Sequence, residues 1–239
     1  MRASADPNVN RGSSDFDIRH AASAGITYDI PGLKGNALSN AILHGWSLEN
    51  LFQIRSAPPL DVFYTFHTSL SNGFYTDIRP DVVPGVPLYL YGSQFPGGKA
   101  INFNAGPTCS DGNFSIGPFC SPPVDANGVP LRQGNLPRNA LRGFGSVQWD
   151  FAIHREFPIH ESIKLQFRAE MFNVVNHPNF GPPVNDLGYD PAASPAGFGV
   201  ANAMLGRSLG GGNIGAGAFD PLYQIGGPRS IQLALKLAF

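Results

Sequence analysis

Ser230-Ile-Gln-Leu-Ala-Leu-Lys-Leu-Ala-Phe239 carries a large apolar side chain at every second position and ends on an aromatic residue. Successive side chains of a strand point to opposite faces, so Ile231, Leu233, Leu235, Leu237 and Phe239 share one face. Gln232, Ala234, Lys236 and Ala238 share the other. One face suits lipid and the other suits water. A soluble sandwich strand can show the same alternation, so the rest of the chain has to decide.

Four further stretches show the dyad. In 162–173, Ile163, Leu165, Phe167, Ala169 and Met171 oppose Lys164, Gln166, Arg168 and Glu170. In 146–157, Val147, Trp149, Phe151 and Ile153 oppose Gln148, Asp150, Ala152 and His154; in 45–56, Trp46, Leu48, Phe52 and Ile54 oppose Ser47, Glu49, Gln53 and Arg55, with Asn50 and Leu51 breaking the pattern. The first stretch, 15–30, sets Phe16, Ile18, Ala22, Ala24, Ile26, Tyr28 and Ile30 against Asp15, Asp17, Arg19, Ser23, Thr27 and Asp29. The expected fold is all-β, with five antiparallel up-and-down strands at 15–30, 45–56, 146–157, 162–173 and 230–239 and helix almost nowhere.

These stretches run from 10 to 16 residues, where a soluble strand averages roughly 5 or 6. About 10 residues tilted by about 45° cover the apolar band of an outer membrane. Charged residues on the second face, chiefly Glu49, Asp150, Lys164, Arg168 and Glu170, then line a wet lumen. Asp15, Asp17, Arg19 and Arg55 share that pattern. Such groups form either a paired network facing a plug or a solvated wall, because barrel interiors are polar in either case.

The connections point the same way. With Phe239 at the periplasmic end, 176–229 and 57–145 are external and long, while 158–161 is a tight periplasmic turn and 31–44 a moderate one. Barrels of this kind alternate short turns with long external loops, and a soluble sandwich has no reason to do so. Trp46, Trp149, Tyr28, Phe157 and Phe172 fall near the ends of the expected strands, where an aromatic girdle lies. Phe63, Tyr64, Phe66, Phe74, Tyr75, Tyr89 and Tyr91 fall in the 57–145 loop, where they pack the loop or meet a ligand, packing being the commoner role.

Composition narrows the function classes. The chain has 29 Gly, 22 Pro, 14% charged residues and a mean hydropathy of -0.08, which suits loop-rich β structure. A net charge of -1 without a basic stripe argues against a dedicated nucleic-acid binder. The six histidines, His20, His44, His67, His154, His160 and His177, lack metal-ligand spacing, and His154 and His160 are expected to flank a periplasmic turn. Gly210-Gly-Gly-Asn213 and Gly215-Ala-Gly217 lack the Lys-Ser/Thr of a phosphate loop. With no nucleophile elbow and no spaced carboxylate pair, no enzyme, cofactor or metal is expected.

Cys109 and Cys120 are the only cysteines, and both lie in the 57–145 loop. An oxidising compartment permits a bridge that closes about 12 residues and stabilises by roughly 3 kcal/mol; two unpaired thiols are the alternative.

Several motifs fall in a telling order: Asp15-Phe-Asp-Ile-Arg-His20, Gly45-Trp46, Arg79-Pro-Asp-Val-Val-Pro84, Gly134-Asn-Leu-Pro-Arg-Asn139 with Leu141-Arg-Gly143, Leu165-Gln-Phe-Arg-Ala-Glu170, Phe172-Asn173 with Asn176-His-Pro-Asn-Phe180, and Gly227-Pro-Arg229 before the terminal Phe. Over nearly its whole length the chain thereby resembles the C-terminal end of Oar-like TonB-dependent transporters. The resemblance implies a barrel of about 22 strands, plugged by an N-terminal domain, in the outer membrane of a Gram-negative cell. It implies uptake of a ligand with energy passed on by TonB. It also implies that Leu235, Leu237 and Phe239 are read by the barrel assembly machinery. Outer-membrane lipid and the remaining strands and plug of a parent barrel are the other implied partners.

Met1-Arg-Ala-Ser-Ala-Asp6 has neither a charged n-region nor an apolar h-region, and no plug-like or TonB-interacting segment is readable. Five strands cannot close a single-chain barrel, and open edges in lipid cost several kcal/mol per unsatisfied group. The expectation is therefore a C-terminal fragment, inactive in isolation. The alternative is a soluble extracellular β-sandwich binding module, with shorter strands around a small buried core. The transported ligand has no readable code.

Overall fold

The computed structural model describes residues 8, 10–31, 44–67, 75–104, 106, 109, 115–160, 163–188, 197–206 and 226–239. In chain order the strands are β1 (Ala21–Asp29), β2 (Trp46–Arg55), β3 (Pro59–Leu60), β4 (Tyr64–His67), β5 (Tyr75–Ile78), β6 (Asp81–Val82), β7 (Tyr89–Tyr91), β8 (Lys99–Ile101), β9 (Ser115–Ile116), β10 (Phe119–Cys120), β11 (Leu141–Arg142), β12 (Ser146–His160), β13 (Ile163–Phe172) and β14 (Ser230–Ala238). The chain divides into two compact units, one of 1–19, 57–144 and 180–203, the other of 20–56, 145–179 and 204–239.

The second unit is a single sheet in the order β1-β2-β12-β13-β14, with every neighbouring pair antiparallel. Apart from the connections, sequence order is sheet order, which is the up-and-down arrangement the dyads predict. The register carries the dyad across the whole sheet. One row reads Tyr28-Leu48-Ile153-Ala169-Leu233, and the adjacent row of the opposite face reads Thr27-Glu49-Ala152-Glu170-Gln232. A slip of one residue would exchange the faces, so alternation on five strands at once fixes the register.

Two boundaries differ from the sequence expectation by more than one residue. β1 starts at Ala21, not at 15, because Asp15 and Asp17 are held elsewhere by arginines, as described below. β12 continues past 157 to His160, so residues 158–160 of the expected turn at 158–161 are strand, and residue 161 lies outside the described residues. Pro158 lies beyond the described pairing with β2, which ends with Arg155 opposite Trp46. A register shift between Pro158 and His160 absorbs the irregularity. Asn50 and Leu51, which interrupt the pattern of β2, do not interrupt the strand: Asn50 sits on the apolar face and accepts the Trp149 indole N–H at 3.1 Å.

The first unit departs most from expectation. Residues 57–144 are not simply a loop. Short pairs, β11 with β3, β4 with β5, β7 with β8 and β10 between β6 and β9, surround a core of Leu60, Val62, Tyr64, Ile78, Ile101, Ile116, Phe119, Leu136, Leu141, Leu187 and Phe198. Phe119 meets Phe198 edge-on, with ring centroids 6.1 Å apart. Tyr64 is buried in this core and Tyr89 packs against it, whereas Tyr91 is exposed. Phe74 lies outside the described residues.

Candidate functional site

Three features of the sheet bear on function: a charged face, an apolar face and a clasp of asparagines. On the charged face, Arg168 donates from Nε to Glu170 at 2.7 Å and from a terminal nitrogen to Glu49 at 3.0 Å. The second oxygen of Glu49 lies 3.2 Å from His154 Nδ1. Glu49, Arg168 and Glu170, three of the five residues picked from the sequence, are therefore joined. The other two are not. Lys164 pairs with Glu156 at 3.6 Å, and Asp150 accepts from the Gln148 side chain and the Asn173 backbone. His154, expected beside a turn, stands in mid-strand within this cluster, because β12 is longer than its dyad suggested.

On the apolar face the terminal strand is the most exposed. Leu233, Leu235 and Phe239 show 68%, 69% and 94% of their surface, and Ile26, Tyr28, Ile54, Ile231 and Leu237 are also exposed. Large aliphatic side chains left this open carry a penalty in water that an apolar solvent on this face removes. Trp46 and Phe157 cluster towards the β12–β13 turn, where Arg155 places its guanidinium carbon 5.4 Å from the Trp46 ring and 4.3 Å from the Phe157 ring. Towards the other end Phe52 and Trp149 stack at 5.3 Å. The parity of β13 puts Phe172 with Arg168 and Glu170 instead, so it leaves the expected girdle.

At the end of the β12–β13 pair, Asn173 and Asn179 are fully enclosed and satisfied. Asn173 donates from Nδ2 to the carbonyls of His177 and Gly227, at 2.8 and 2.9 Å, and accepts the His177 N–H at 3.0 Å. Its backbone adopts φ 50°, which Asn tolerates better than most residues. Asn179 pairs with both the N–H and the C=O of Val147, at 2.9 and 3.0 Å. The role of this Asn-rich stretch is not evident from its residues alone, although three asparagines within seven residues after a strand are a signal of it.

In the first unit the quoted motifs lock together. Asp15 accepts from Asn139 at 2.6 Å and from Arg138 at 2.8 Å, and Asp17 is gripped by Arg142, which also donates to the Asp17 carbonyl at 2.7 Å. These two carboxylates therefore do not belong to the charged face of the sheet. The Asn139 amide holds the Asp15 carboxyl below its ordinary range, and the Arg142 guanidinium does the same for Asp17. Asp61 is shifted the other way by burial. Arg79 donates to Asn10 and to the Leu136 carbonyl, while Arg132 grips both oxygens of Asp81 at 2.8 Å. Gly134 lies so close to the Pro80 carbonyl that a Cβ there would collide with it. Lys99 donates to the carbonyls of Arg142 and Gly143 and sits over the Tyr89 ring at 4.8 Å, and burial lowers its pKa. The sulfurs of Cys109 and Cys120 are joined, with Cα atoms 5.9 Å apart.

A family model described as an outer membrane beta barrel domain matches residues 2–211. No curated protein matches the chain, and no solved structure does.

Proposed function

This chain belongs to the outer membrane beta barrel domain family, and from that membership we propose that it supplies the C-terminal five-strand wall of a TonB-dependent, Oar-like transporter. The reading is carried by one observation: a five-stranded antiparallel sheet whose one face exposes rows of Leu, Ile, Tyr and Phe while the other holds an ion-paired row. The first face meets outer-membrane lipid. The second faces the lumen, where the plug of the parent barrel would lie against Glu49, His154, Arg168 and Glu170.

In this reading the outer strands β1 and β14 pair with the remaining strands of the parent, because in lipid their free N–H and C=O groups have no other partner. TonB acts through the plug, and the ligand enters from the external side. The assembly machinery reads the last strand through Leu235, Leu237 and Phe239. The chain performs transport, not catalysis, and takes neither a cofactor nor nucleic acid as a partner. In isolation it is inactive.

The test is made on the full-length parent in its own cell. Outer-membrane fractionation, heat-modifiable migration on gels and competitive growth on candidate nutrients with and without TonB are measured together. A heat-modifiable outer-membrane protein whose growth advantage disappears without TonB supports the proposal. An outer-membrane protein whose phenotype is indifferent to TonB would leave the barrel and remove the transporter.

A further inference from the structure

Asp15 and Asp17 fill a cradle that the core of the first unit fixes without them. Arg138, Asn139 and Arg142 make the cradle. Leu141 is wholly buried, Arg142 lies opposite Pro59 in the β11–β3 pair, and its carbonyl accepts from Tyr89 and Lys99 at 3.2 and 3.1 Å. Asn139 is buried at φ 55°, with its N–H directed to Asp61. Its side-chain amide donates to the Ser13 carbonyl at 2.8 Å and to Asp15 at 2.6 Å. Arg138 adds a bond to Asp15 at 2.8 Å, and Arg142 holds Asp17 and Ser13. The segment that brings the two carboxylates has no such anchor: no described residue of 8–19 is buried, and Phe16 is 90% exposed. Exposed ion pairs contribute little each, and segments held chiefly by them open readily. Opening would take these acceptors from a buried amide and two guanidiniums, which favours another oxyanion in their place.

We propose that Arg138, Asn139 and Arg142 form a binding site for a small dicarboxylate, and that Asp15 and Asp17 occupy it as tethered stand-ins while no ligand is bound. Guanidinium and amide groups present N–H donors that match the oxygens of a carboxylate. The cradle has two such receivers: Arg138 with Asn139 takes one carboxylate, and Arg142 takes the other. One molecule with two carboxylates fills both, whereas a monocarboxylate fills one. A tethered competitor acts at an effective concentration in the millimolar range, so the ligand displaces the segment only above a threshold that the tether sets. Gly12 makes the close approach of the tether possible: it bridges to Arg138, and a Cβ at this position would collide with the Arg138 carbonyl.

The test needs neither TonB nor transport, so its failure leaves the barrel reading in place. Glutarate is titrated at neutral pH into the full-length protein in detergent, with acetate and sodium chloride at equal ionic strength as controls. Calorimetry reads binding, and hydrogen exchange reads the 10–19 segment. Asp15→Ala/Asp17→Ala is expected to bind glutarate at least about tenfold more tightly than the unaltered protein. Gly12→Val keeps the charges of Asp15, Asp17, Arg138 and Arg142, and is expected to shift binding in the same direction by lifting the segment. In the unaltered protein glutarate should raise exchange of 10–19 more than either control does. Arg142→Ala in the Asp15→Ala/Asp17→Ala background should abolish binding. If that variant opens the core to exchange at Phe119 and Cys120, Arg138→Ala decides: its side chain is 41% exposed, and its loss should weaken binding several-fold with the core intact. Equal affinity of the unaltered protein and the double variant would overturn the proposal, as would a double variant that binds no glutarate, binding that survives loss of either arginine, or acetate as effective as glutarate.

Discussion

Arg168 on β13 and Glu49 on β2 are bonded at 3.0 Å although β12 runs between their strands. The residue of β12 in line with Glu49 and Glu170 is Ala152, whose methyl group leaves the guanidinium room to cross. Two partners separated by 119 positions in sequence are thereby tied over a third strand.

Removing the tie should have a small, measurable effect. Both side chains are more than a third exposed, so a double-mutant cycle of Arg168→Ala and Glu49→Ala is expected to give a coupling of about 0.5–1 kcal/mol. Ala152→Leu should abolish that coupling without removing either charge. The readout is unfolding of the protein in lipid vesicles, and a coupling that survives Ala152→Leu would show that the crossing does not depend on the small residue.

The two faces of β14 should respond oppositely to charge. Leu235→Arg puts a cation among exposed apolar side chains and is expected to cost about 2–4 kcal/mol in a membrane, whereas Ala234→Arg lies on the charged face and should cost much less. Folded yield in the outer membrane separates them. Equal tolerance of both variants would contradict the assignment of faces.

Phe239→Ser should lower the assembled yield of the full-length parent several-fold while leaving its synthesis unchanged. Quantifying assembled and total protein side by side makes the comparison, and an unchanged ratio would remove the terminal aromatic from the assembly signal.

Acid should loosen the 10–19 segment first. The Asp15 and Asp17 carboxyls are held below their ordinary value of 3.8, so their contribution is fully present above that value and is lost as pH falls through the folded-state values. Asp61, raised by burial, works in the opposite sense and does not share this loss. Hydrogen exchange of 10–19 is expected to rise on acidification below about pH 4, before exchange in the β12–β13 pair does. Asp17→Asn should raise exchange of the segment at neutral pH and flatten its pH dependence; an unaltered profile would dissociate the segment from Asp17.

The alternation of apolar and polar residues on five long stretches was enough to determine the five long strands and their two faces. Side-chain direction in a strand has period two, and the pattern is local, so it is written in the chain without reference to anything distant. Glu49, Arg168 and Glu170 were legible as one face for the same reason. Their bonding was not, since it depends on which strands become neighbours and on the size of Ala152 between them. The small core of the first unit was equally hidden: its strands have two to four residues, too short for a period, and Val62, Phe119, Leu141 and Phe198 come together from segments far apart. His154 and Asn173 gained their roles only from partners on other elements, and the Asp15 and Asp17 carboxylates left the sheet because Arg138, Asn139 and Arg142 offered better hydrogen bonds than a strand position did. Local periodicity decided the wall; contacts between distant segments, which alone can desolvate a core or pair a buried charge, decided the rest.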